Sequence, residues 1–106
     1  MWNEGAVFGG TDWIPFGIAY RSLHPRAAEC TNLLAPTCVS SSYVAYGALR
    51  LEWTFMAIAQ SAALAADLAL ARGTSVQAVD YAALRARLLA AGQALEVHVS
   101  RTPGPR

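Results

Sequence analysis

From Trp53 to Ala71 the chain is apolar at nearly every position, and the interruptions are Thr54, Gln60, Ser61 and Asp67. This pattern predicts one long helix. It starts near Trp53 or Thr54, ends at Arg72, and has Gly73 as the glycine that follows its last turn. On a helical wheel Thr54, Ser61 and Arg72 fall within about 20° of one another, and Gln60 and Asp67 form a second narrow stripe. The rest of the circumference is apolar, as expected of a helix buried inside a larger protein.

The downstream pattern is more conventional. Asp80 is placed to cap a helix from Tyr81 to Ala91 that stops at Gly92, with Tyr81, Leu84 and Leu88 on one face. Thr74-Ser75-Val76-Gln77 has the form of a capping box that opens one short turn. Upstream, Val44 to Leu51 reads as a short helix or turn. Asn32 to Ser40 is a continuous apolar run with polar ends, which fits a strand buried on both faces, with a bulge or an unpaired position needed at Pro36. Ile14 to Tyr20 is apolar but punctuated by Pro15 and Gly17, so it reads at best as a short edge strand. Leu23-His24-Pro25-Arg26 is a turn. The expected fold class is mixed α/β, mainly helical, with one or two short strands. Residues 1–13 read as an N-terminal loop, 14–97 as the structured segment and 98–106 as a disordered tail.

Composition sharpens this picture. Of 106 residues, 55% are hydrophobic and 14% charged. Typical domains carry about 25% charged residues, so this chain has little charge with which to cover its surface. It reads as part of something larger. All eight cations are arginines, and they are scattered along the chain. With a net charge of +1, binding to nucleic acid through charge is not expected. The Trp53–Ala71 run is just long enough to span a bilayer. It is rich in weakly hydrophobic Ala, and Asp67 within it costs about 2.5–3.5 kcal/mol on insertion scales, so a membrane role is not expected. The start of the sequence lacks the pattern of a signal peptide, which points to a cytoplasmic protein.

Candidate chemistry is sparse. His24 and His98 are far apart and read as surface residues. Cys30 and Cys38 lack the spacing of a redox pair and read as buried free thiols. No metal-ligand set is apparent. The best constellation runs from Ser40 to Glu52, where an apolar run gives way to hydroxyls and then to helical turns bearing Arg50 and Glu52. A structural reading is also open, in which Ser40 and Ser42 cap a turn and Arg50 pairs with Glu52.

Four stretches carry a resemblance to a known family: Ile18 to Pro25 (Ile-Ala-Tyr-Arg-Ser-Leu-His-Pro), Glu29 to Pro36, Val39 to Glu52, and Val79 to Arg85. In order and spacing the chain resembles the C-terminal part of bacterial FAD-dependent oxidoreductases, of the xanthan-lyase-like kind with a Rossmann-type FAD domain. The resemblance implies FAD as cofactor. It places Ser40, Ser42, Arg50 and Glu52 beside the cofactor, with the serines toward the ribityl or phosphate oxygens and Arg50 near the flavin. There are departures. Tyr43 stands where relatives have His, Trp53 replaces a Pro, and Ala59 and Ala63 replace Gly. The strand–Gly-x-Gly-x-x-Gly–helix unit that holds the FAD pyrophosphate is missing from this sequence. The chain is therefore expected to be inactive alone and to need the remainder of an FAD domain, or a homo-oligomer formed through the apolar helix 53–72. A non-catalytic helical interaction module is the alternative. The substrate is not legible.

Overall fold

A computed structural model describes residues 16–96. The loop expected over 1–13 and the tail expected over 98–106 lie outside the described residues. The described elements are a 3₁₀ turn at Tyr20–Leu23, helix α1 (Tyr43–Leu49), helix α2 (Glu52–Arg72), a second 3₁₀ turn at Val76–Ala78, and helix α3 (Tyr81–Ala90).

The long helix forms where the apolar pattern places it. It begins one residue early, at Glu52, whose carboxylate suits the positive end of the helix dipole. It ends at Arg72, and Gly73 adopts φ 60° there, a left-handed conformation that glycine enters without steric cost. Helix α3 is capped by the Asp80 carboxylate, which accepts a hydrogen bond from the Ala82 N–H at 3.0 Å. The chain leaves that helix through Gly92 at φ 78°.

The expected strands are absent among the described residues, and the mixed α/β, Rossmann-type reading is corrected: the described segment is helical and irregular. Pro36 supplies no N–H, and residues 36–38 form a bend. Two backbone bonds tie the 32–40 run to its neighbour: Ala35 N–H to Leu23 O at 2.7 Å and Ser40 N–H to Ser22 O at 2.8 Å. Phe16 to Tyr20 likewise forms no strand and leads into the 3₁₀ turn. An apolar run needs neighbours on both sides to become a sheet strand. Here it meets helices instead, with Val39 buried and Leu34 partly buried.

Two apolar clusters share α2. Toward its N-terminal half, Ile58 packs with Leu23, Val39 and Leu49. Toward its C-terminal half, Ala65 and Leu68 pack with Leu84 and Leu88 of α3. Tyr20 and Leu34 touch both clusters and join them. Small side chains on α2 let α3 approach closely, and Ala65 is fully buried there. The two polar stripes of α2 find partners in this packing. Gln93 donates to Gln60 Oε1 at 2.8 Å and to Ala57 O at 3.0 Å, and it accepts from the Ser61 hydroxyl at 2.9 Å. Asp67 pairs with Arg87 of α3.

The expected capping box does not form. Ser75, not Thr74, precedes the second 3₁₀ turn, and it makes no side-chain cap. The Gln77 amide turns away instead and donates to Pro25 O at 3.0 Å and Cys30 O at 2.8 Å. One local bond is exchanged for two long-range ones, which satisfy two carbonyls of a neighbouring turn. The Gln77 carbonyl oxygen is buried without a donor among the described residues.

Candidate functional site

The turn that follows Tyr20–Leu23 is built from its own backbone. Glu29 N–H donates to Arg26 O at 2.9 Å, Cys30 N–H to the same oxygen at 3.1 Å, and Arg26 N–H to the Glu29 carboxylate at 3.1 Å. Gln77 holds the turn through Cys30 O, and Val76 N–H bonds Thr31 O at 3.0 Å. The Tyr20 hydroxyl donates to Val76 O at 2.7 Å, a bond across 56 positions of sequence. Burial pushes the Tyr20 phenol above its ordinary range, because the ionised form would lose its hydration there.

Against this frame lies a concavity of about 380 Å³ lined by Arg21, Ser22, His24, Pro25, Arg26 and Ser40. Ser40 reaches it because its N–H is bonded to Ser22 O. The His24 ring is fixed by a 3.0 Å bond from Nδ1 to the carbonyl of Pro25 and by an edge contact with Tyr20, with ring centroids 5.2 Å apart.

The four residues singled out by sequence do not converge on one point. Ser40 lines the concavity. Ser42 has a structural role, since its hydroxyl accepts from Ala45 N–H at 3.2 Å and caps α1. Arg50 is the C-terminal cap residue of α1, bonding Tyr46 O through its N–H at 3.0 Å, with its side chain exposed. Glu52 opens α2 and is also exposed. The structural alternative is therefore half right. The serine cap forms at Ser42, but Arg50 and Glu52 are not among the ion pairs of the described residues, which are Arg72–Asp80, Arg85–Glu96 and Arg87–Asp67.

Other positions also need correction. The thiols are not buried: Cys38 is exposed and Cys30 is half-buried, its thiol donating to Asn32 Oδ1 at 3.2 Å. Tyr43, in the place of the relatives' histidine, is the first residue of α1 and is exposed. Ala59 and Ala63 both lie on exposed positions of α2, so their methyl groups crowd nothing in the described core.

Arg21 and Arg26 are not among the residues singled out by sequence, yet both line this concavity. The Arg-Ser-Leu-x-Pro stretch was a visible signal, but nothing local shows that a turn brings Arg26 back beside Arg21 and Ser40. The sequence model of the family described as FAD dependent oxidoreductase matches residues 3–88. The chain belongs to that family. Its membership agrees with the Ile18–Pro25, Glu29–Pro36, Val39–Glu52 and Val79–Arg85 stretches, all of which lie inside the matched span. No curated protein and no solved structure matches the chain.

The residues present can be tested against FAD. Ser40 has an accessible hydroxyl, and Arg50 is an exposed guanidinium with no carboxylate partner among the described residues. Both suit the polar and anionic parts of the cofactor. Ser42 suits it less, because its oxygen already serves the helix cap. Glu52 carries a negative charge and suits a hydroxyl of the cofactor rather than its phosphates.

Proposed function

We propose that this chain is a cofactor-flanking segment of an FAD-dependent oxidoreductase, acting beside a pyrophosphate-binding unit. The observation that carries the reading is the family match over residues 3–88, which includes the Ser40–Glu52 segment. When bound, FAD supplies the hydride and electron chemistry. The chain's own residues bind and orient. Arg50 would offer a positive charge to the cofactor, Ser40 would donate to one of its oxygens, and Ser42 holds the start of α1 in register.

The reading also accounts for the apolar residues near Arg50. Leu51, Trp53 and Met56 are exposed, at 42%, 69% and 70% respectively. Large apolar groups clustered on a surface mark an interaction site. In this proposal the remainder of the FAD domain covers them. A homo-oligomer through α2 is the rival, and sedimentation of the chain with and without the partner unit separates the two.

The decisive experiment supplies a pyrophosphate-binding unit by fusion or co-expression and replaces Arg50. Arg50→Ala should weaken FAD binding about three- to tenfold and lower the flavin reduction potential. Arg50→Lys should recover part of the loss, since Lys keeps the charge but not the planar fork. A lowered melting temperature with an unchanged potential would instead assign Arg50 to structure alone.

A further inference from the structure

The concavity at Arg21, His24, Arg26 and Ser40 has a donor set that the flavin reading of Arg50 does not use. We propose that it is a phosphoryl-binding site for a small anionic molecule. The inference shares only Ser40 with the reading above, and it stands whether or not Arg50 meets a flavin.

The first support is charge. Three arginines of the C-terminal half each have a carboxylate: Arg72 with Asp80, Arg85 with Glu96, and Arg87 with Asp67. Arg21 and Arg26 have none among the described residues, and no carboxylate lines the concavity. Glu29 is the nearest acid in sequence, and it spends an oxygen on the backbone N–H of Arg26. Two guanidinium groups thus share one concave surface with no counter-charge from the described residues.

The second support is the number of donors. Each guanidinium offers a fork of N–H groups, and Ser22 and Ser40 add hydroxyls. His24 spends its Nδ1–H on Pro25 O, so the neutral ring presents Nε2 as an acceptor and adds no donor to this set. One carboxylate has two oxygens and is outnumbered by this set. A phosphoryl group offers three strongly accepting oxygens and more charge.

The third support is rigidity and size. Arg21 and Arg26 stand on backbone that is tied down by Ser40 N–H to Ser22 O, by Ala35 N–H to Leu23 O, and by the two bonds from Gln77. A site held in place before binding loses less entropy on binding. About 380 Å³ lies at the small end of the roughly 300–1,000 Å³ range of small-molecule sites. It suits a phosphate-bearing group rather than a macromolecule.

The test titrates inorganic pyrophosphate into the full chain at low ionic strength and follows binding by calorimetry. Saturable one-to-one binding is expected, weakened about tenfold or more in the Arg21→Gln/Arg26→Gln double variant. The Arg72→Gln/Arg85→Gln double variant removes the same net charge elsewhere and should bind within about twofold of the parent. Both side chains replaced in the first variant are exposed and the turn is held by backbone, so its thermal melt should match the parent. Arg21→Lys/Arg26→Lys keeps the charge and should bind with intermediate strength. Loss of binding that is equal in the two Gln double variants, or no saturable binding at all, overturns the proposal. Competition identifies the source of the phosphoryl group. Displacement of pyrophosphate by FAD but not by riboflavin assigns it to the cofactor. Retention of pyrophosphate in the presence of FAD separates the site from the cofactor's phosphates and leaves another phosphorylated small molecule as its ligand.

Discussion

The two halves of the described chain handle their charged and polar groups in opposite ways. From Ile58 to Leu95, α2 and α3 pack along a shared face, and the polar groups on that face are paired: Asp67 with Arg87, and Gln60 and Ser61 with Gln93. From Phe16 to Ser42 there is irregular backbone, pinned by a handful of long-range bonds, and Arg21 and Arg26 are left without carboxylates among the described residues. Paired charges in the first region hold two helices in register. In the second, two arginines without a carboxylate partner among the described residues stand on a fixed turn, as the proposed anion site requires. Stability thus lies in one half and the proposed recognition surface in the other.

The largest test of that division is Leu84, which is only 1% exposed and lies at the centre of the α2–α3 face. Leu84→Ala removes buried methyl groups and leaves a cavity. It should cost about 2–5 kcal/mol, read from denaturant or thermal melts. If the loss were far below that range, the helical pair would not be the stable half.

Next is Tyr20, which ties the halves together through its bond to Val76 O. Tyr20→Phe should cost about 0.5–1.5 kcal/mol at neutral pH. The same phenol predicts a pH effect. Its folded pKa is raised by burial above its ordinary value, so the folded state favours the protonated form. Its stabilising contribution is complete below the unfolded value of about 10 and is lost as the pH rises through the folded one. The gap between parent and variant seen in melts at about pH 8 should therefore narrow as the pH rises above about 10. A gap that widens with pH would contradict the assignment.

The smallest expected effect is at the Arg87–Asp67 pair, whose side chains are 43% and 66% exposed. Arg87→Ala should cost no more than about 1 kcal/mol, because solvent screens such a pair. The difference from the parent should shrink in about 1 M salt. A loss of several kcal/mol would show that the charge pairing, and not the apolar face, dominates the helical half.

Much of the helical half was legible in the order of residues. The ends of α2 and α3 follow from Gly73, Asp80 and Gly92, which act within a turn or two of their own positions. The irregular half was misread for a physical reason. The Asn32–Ser40 run has the apolar content of a buried strand, but strand status requires a partner edge, and apolar content is satisfied equally well by a helix face. Gln77 shows the same lesson in one side chain. Its spacing from Thr74 suits a local cap, yet it serves Pro25 and Cys30, some fifty positions away.

By itself the sequence determined the long apolar helix, its glycine stop, the capped third helix, and the stretches on which family membership rests. These depend on periodicity, on single residues with special backbone freedom, and on residue order. Only the tertiary structure decided that no sheet forms among the described residues, that Ser42 caps while Ser40 stays open, and that Arg21, His24 and Arg26 share one concavity with Ser40. Such outcomes depend on which distant groups the packed core brings within bonding range, and local sequence carries no record of that distance.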